Sequence, residues 1–79
     1  MRQPIVGFHL DEAGDWVAEL ACGHGQHMRH HPPWQSRPWT QTAQGRAAKL
    51  GVQVDCLKCD RHEPPADWAP EGVRARQQG

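Results

Sequence analysis

The stretch ACGHGQHMRHHPPW, residues 21–34, puts one cysteine and four histidines into a segment that contains no carboxylate. Such a run can be a metal site, a catalytic centre or a positively charged surface. A second stretch decides between them. CLKC, Cys56 to Cys59, is a C-x2-C knuckle entered from an apolar, β-branched run, a spacing that lets two thiolates turn toward one ion. Cys22 and His24 form a C-x-H pair at the end of another such run. Together, C-x-H, about 31 residues and C-x2-C bring four soft or borderline donors into two short turns, the usual way of assembling a tetrahedral zinc site. The expected ligands are therefore Cys22, His24, Cys56 and Cys59, with zinc as the cofactor, and His27 is the alternative fourth ligand.

Other readings of the knuckle fit less well. A thioredoxin-type pair opens a helix, whereas DRHEPP, with two prolines, follows Cys59. A haem attachment site needs its histidine directly after the second cysteine, and His62 comes two residues too late. A chain of 79 residues allows one small domain, and domains of this size commonly need a metal, a disulfide or a partner because their buried surface barely offsets chain entropy. Only five aromatics are present, four of them Trp, so a thin core with an added staple is expected. The first apolar run, IVGFHL, meets Asp11 and Glu12 after six residues, too short for a signal-peptide core or a membrane span. A soluble, cytoplasmic protein with no membrane partner is the expectation. In that compartment thiols stay reduced, and three cysteines is an odd number, which again favours metal over a disulfide framework.

The net charge is zero, but the signs are segregated. Between Glu19 and Asp55 there is no acid, while Arg29, Arg37, Arg46 and Lys49 all lie there. Either this middle attracts an anionic partner, or folding returns Asp11, Glu12 and Asp15 to its side.

The rest of the chain predicts an α+β fold. IVGFHL and WVAELAC flank DEAGD, a turn-former cluster, and read as a hairpin with Trp16, Ala18 and Leu20 on one face and Val17, Glu19 and Ala21 on the other. QHMRH supplies a third strand after GHG, and VQVDC a last one. HPPWQSRPWT has three prolines and excludes helix; Trp34 and Trp39 are expected to fold it back over the sheet. One short helix follows, capped by Thr40 or Thr42, weakened by Gly45 and ended by Gly51. The predicted organisation is a zinc-binding domain over 1–60 and a flexible tail over 61–79.

Two resemblances add to this reading. The C-x-H-x2-H string at 22–27 is locally similar to the C-x-H-x2-C segment of RING-type fingers, in which the C-x-H pair shares an ion with a later C-x2-C, and this favours His24 over His27. The order hairpin, CGH-x2-H, PPW, RPW, QGRAAKLG, DCLKC over about residues 5–59 resembles a group of small uncharacterised bacterial proteins, some labelled pressure-regulated protein. What that resemblance implies is a zinc-ribbon-like module without an assigned biochemistry.

Three thiolates and one imidazole would close the coordination shell, which suits a structural site better than hydrolysis. The expected role is a binding or regulatory module for nucleic acid or protein, with Arg29, Trp34, Arg37, Trp39 and Arg46 as the candidate surface, since exposed rings beside guanidinium groups stack bases and neutralise phosphate. The alternative is a small metal-dependent hydrolase or metal-handling protein using His27 and His30.

Overall fold

The hairpin organises the molecule. The structure, a computed structural model, describes residues 1–71. Strand β1 (Arg2–Leu10) pairs antiparallel with β2 (Trp16–Leu20), with Leu10 opposite Trp16 and Phe8 opposite Ala18. The DEAGD turn closes on Asp11, whose Oδ1 accepts from Ala13 N and Asp15 N at 2.9 Å each, while Gly14 takes the left-handed conformation the turn requires. Strand β3 (Gly25–His27) adds to the outer side of β2, and β4 (Gln53–Asp55) pairs with the first residues of β1, giving the order β3-β2-β1-β4 with every pairing antiparallel. β1 is thus long because its two halves serve different neighbours, and its register shifts between Ile5 and Gly7 where the neighbour changes.

One face of this sheet carries the core. Ile5, Ala18, Leu20, Cys22, Met28 and Cys56 are buried together, with Phe8, Trp39 and Val54 packed around them. Trp39 reaches this face from a 3-10 turn (Pro38–Gln41) and meets Phe8 edge-on at 5.9 Å. Helix α1 (Ala43–Ala48) follows at once, capped by Thr42, whose Oγ1 accepts from Gly45 N at 2.9 Å; Gly51 then takes a positive φ and leads into β4. Gly45, expected to weaken this helix, is required by the junction: a Cβ there would run into the Trp39 carbonyl oxygen.

Several expectations need correcting. The knuckle does open a helix, α2 (Leu57–Asp60), a single turn completed before Pro64 and Pro65 are reached, so α1 is joined by a second short helix among the described residues. The third strand stops at His27 instead of running to His30. Trp34 is 90 % exposed and does not fold over the sheet. Val17, on the face opposite Ala18 and Leu20, is also only 4 % exposed. The reason lies in residues 61–69, expected in the tail, which pack back against the sheet: Ala66 N donates to Gly23 O at 2.9 Å, Ala69 is 3 % exposed, and the Trp68 ring lies 5.0 Å from that of His9. The remaining part of the expected tail, residues 72–79, lies outside the described residues. Among those described, no helix is long and apolar enough to cross a membrane.

Candidate metal centre

The first half of the site is a turn at the end of β2. Leu20 N donates to His24 O and Gly23 N to Leu20 O, both at 2.9 Å, and Gly23 at φ 88° provides the left-handed step that swings the chain around. Cys22 and His24 therefore project from one tight turn into the core. The second half begins where β4 ends: Cys56 N donates to Met1 O at 2.7 Å, locking the strand end beside β1, and Cys56 is the residue from which α2 starts. One helical turn later Cys59 returns to the side of Cys56, because residues three apart on a helix are neighbours.

These four side chains meet. Their donor atoms all lie within 4.8 Å of one another. His24 Nδ1 is 3.3 Å from Cys22 Sγ and 3.4 Å from both Cys56 Sγ and Cys59 Sγ, and Cys22 Sγ is 3.7 Å from Cys56 Sγ. Cys22, His24 and Cys56 are buried and Cys59 is half-buried. The other ring nitrogen, His24 Nε2, donates to the Glu63 carbonyl oxygen at 2.9 Å. Because a carbonyl can only accept, that bond puts the ring proton on Nε2 and leaves the Nδ1 lone pair aimed at the three sulfurs, the outer-shell arrangement that orients metal-ligating histidines.

The electrostatics favour neutral thiols in the absence of a cation. Burial pushes the Cys22 thiol up, and burial together with the two neighbouring sulfurs pushes Cys59 up to about 12. Without a positive charge these groups stay protonated; a bound ion would reverse that balance and hold thiolates. The cluster is geometrically suited to hold a metal ion, and it is the expected set of Cys22, His24, Cys56 and Cys59.

The alternative ligand lies elsewhere. His27 is exposed, and its Nδ1 is 3.1 Å from Asp11 Oδ2. His30 Nδ1 accepts from Arg37 N at 2.9 Å. The Glu63 carbonyl is the functional group that sequence reasoning missed; only the proximity of residue 63 to the knuckle hinted at it.

The expected binding residues separate into two kinds. Trp34 is at the surface, while Trp39 is half-buried against Phe8. Asp15 returns to Arg29 at 3.6 Å and to His31 at 3.2 Å, so part of the cationic middle is neutralised by the hairpin acids. Among the described residues Glu12 makes no ion pair. Arg37 donates from Nη1 to Arg29 O at 3.0 Å, and Arg46 lies 3.7 Å over the Trp16 ring. Among the described residues neither Arg37 nor Arg46 has a carboxylate within ion-pair distance, and the same holds for Lys49.

The fold and the cluster together define a small α+β domain whose strand ends converge on one Cys3His donor set. The chain belongs to the family described as protein of unknown function DUF3565, whose model matches residues 6–63 and so takes in all four donors and the Glu63 carbonyl. That description assigns no activity. No curated protein and no solved structure is significantly similar to the chain.

Proposed function

We propose that the Cys3His cluster holds a structural zinc ion and that the domain it staples is a cytoplasmic binding module rather than a hydrolase. The observation that carries this is the near-equal distance of His24 Nδ1 from all three sulfurs, with its other nitrogen tied to a backbone carbonyl. Around a tetrahedral zinc with Zn–S about 2.3 Å and Zn–N about 2.0–2.1 Å, sulfurs sit about 3.8 Å apart and the nitrogen about 3.6 Å from each sulfur. The Cys22–Cys56 distance of 3.7 Å and the nitrogen–sulfur distances of 3.3–3.4 Å fall within a few tenths of an ångström of that frame. Three sulfur donors favour zinc over the hard oxygen-seeking ions.

A role in holding the fold follows from where the ligands come from. They join the end of β2 to the end of β4, two strands that do not pair with each other. Four protein donors fill a tetrahedral shell and leave no position for a reacting water. The histidines a hydrolase would use are engaged elsewhere, His27 with Asp11 and His30 with the Arg37 amide. The test is native mass spectrometry with elemental analysis, followed by circular dichroism before and after chelation. One zinc per chain and loss of structure on chelation are expected; a protein that purifies without metal and melts unchanged in chelator overturns the reading.

A further inference from the structure

The most exposed large hydrophobic side chain among the described residues is Trp34, 90 % exposed in the segment joining β3 to the 3-10 turn. An isolated aromatic ring on a floppy loop would mean little. This loop is pinned: His31 N donates to Gln35 O at 2.7 Å and Gln35 N to His31 O at 3.1 Å, closing a ring of backbone around Pro32, Pro33 and Trp34. Beneath it, Arg37 is tied by its amide to His30 and by its guanidinium to Arg29 O. The ring is thus presented with its backbone already ordered, which lowers the entropy lost when something docks on it.

On one side of the loop Asp15 pairs with Arg29 and His31; toward α1 the loop is followed by cations. Arg37 O accepts from Thr40 Oγ1 at 2.8 Å, and Thr40 O accepts from Arg46 Nη1 at 2.6 Å, so the two arginines are linked through one buried threonine. Lys49 follows on the same helix end, 5.4 Å over the Trp39 ring. Asp11 and Asp15 return to His27, Arg29 and His31, and among the described residues Arg37, Arg46 and Lys49 have no carboxylate within ion-pair distance.

We propose that the Trp34 loop and the adjoining cations Arg37, Arg46 and Lys49 form a binding site for single-stranded nucleic acid, in which one base stacks on Trp34 and the phosphates on either side of it meet the cations. This rests on reading the domain as a binding module, and it names the partner. An unpaired base offers the flat face that a lone accessible ring can take up, and the backbone offers negative charge to the three cations that have no carboxylate partner among the described residues. A lipid-inserting loop would present several large apolar side chains, whereas the companions of Trp34 are Pro32, Pro33, Gln35 and Ser36. Recognition is independent of sequence, because nothing here reads base edges.

The test uses the full chain in its zinc-loaded form and a labelled thymidine strand of about 12 nucleotides. With three cations engaged, affinity is expected to fall by about 20-fold between 50 and 200 mM salt. Trp34→Ala is expected to weaken binding about tenfold or more. A strand of the same length without bases should bind the wild type about as poorly as the intact strand binds Trp34→Ala, and Arg37→Ala should flatten the salt dependence. Metal content and circular dichroism of both variants, expected to match wild type, separate this site from the zinc reading. Loss of binding in a variant that keeps its metal and fold supports the site, whereas absence of metal from the wild type overturns the zinc reading on its own. The inference is overturned if no salt-sensitive binding is found, if Trp34→Ala or the base-free strand binds like its intact counterpart, or if Trp34 engages anionic phospholipid vesicles and not the strand.

Discussion

The two ends of this domain are held by different physics. At one end, Cys22, His24, Cys56 and Cys59 gather from two distant turns, and residues 63–66 close over them through His24 Nε2 to Glu63 O and Ala66 N to Gly23 O. The links that join those two turns, and the ones that close over them, are long-range in sequence. At the other end, residues 30–48 are organised by contacts between close neighbours: the His31–Gln35 pair, the Arg37–Thr40–Arg46 chain and the Thr42 cap. Loop closure across 30 or more residues must be repaid by a strong interaction, while a cap or a local bond costs little chain entropy. The metal end should therefore fail all at once, and the helical end piecemeal.

The sharpest way to break this comparison is to remove a ligand. Cys22→Ser, Cys56→Ser and His24→Ala should each abolish tight metal binding and, because binding and folding are coupled in so small a core, should leave a chain without native circular dichroism at ambient temperature. Uptake of the ion by the wild type should also release protons, since burial keeps the Cys22 and Cys59 thiols protonated when no cation is present. The sign follows directly: acid favours the protonated thiols, so apparent affinity should drop as pH is lowered, by up to about tenfold per pH unit for each proton displaced. Calorimetric titration in two buffers of different ionisation enthalpy measures the proton count.

A smaller and more discriminating effect is expected at Gly45. Helix propensity alone says that Gly to Ala in α1 should stabilise by about 1 kcal/mol. The Trp39 carbonyl occupies the space a Cβ would need, so Gly45→Ala should instead destabilise by about 1–3 kcal/mol while leaving metal content at one ion per chain. Urea unfolding monitored together with metal release tests both halves of that statement. An increase in stability would mean that the junction between the 3-10 turn and α1 is looser than its contacts indicate.

The smallest effects belong to His27→Ala and Trp34→Ala. His27 meets only Asp11 across an exposed pair, and Trp34 is almost wholly in solvent, so both variants should keep wild-type metal content and melt within a few degrees of it. If His27→Ala released the metal, the assignment of His24 would be wrong.

The Cys3His cluster was legible in the sequence because ligand spacing is written in residue types: C-x-H and C-x2-C state which atoms can point at one ion, and the strands leading into them state that both turns lie at sheet ends. The hairpin and a threonine cap for the helix, Thr40 or Thr42, were legible for the same reason, each being a local rule; the structure selects Thr42. Other features depend on atoms that every residue carries or on what lies across the fold. The return of residues 61–69 uses a carbonyl, an amide and a small alanine, none of which marks a sequence as structured, and the prolines at 64 and 65 concealed it. The exposure of Trp34 and the half-burial of Trp39 could not be told apart by composition, since both follow a proline in the same run. Gly45 read as a weak point because propensity does not see a neighbouring backbone.

The bond from His24 to residue 63 has one more consequence. It is made to a main-chain oxygen, so exchanging Glu63 for nearly any other amino acid leaves the acceptor in place, and a side-chain scan would pass over the position in silence. What the imidazole measures is distance along the chain: a deletion of a single residue between Cys59 and Glu63 would carry the oxygen away, and an insertion would misplace it. The position is therefore constrained by length rather than by identity, and an alignment gap there would matter more than a mismatch.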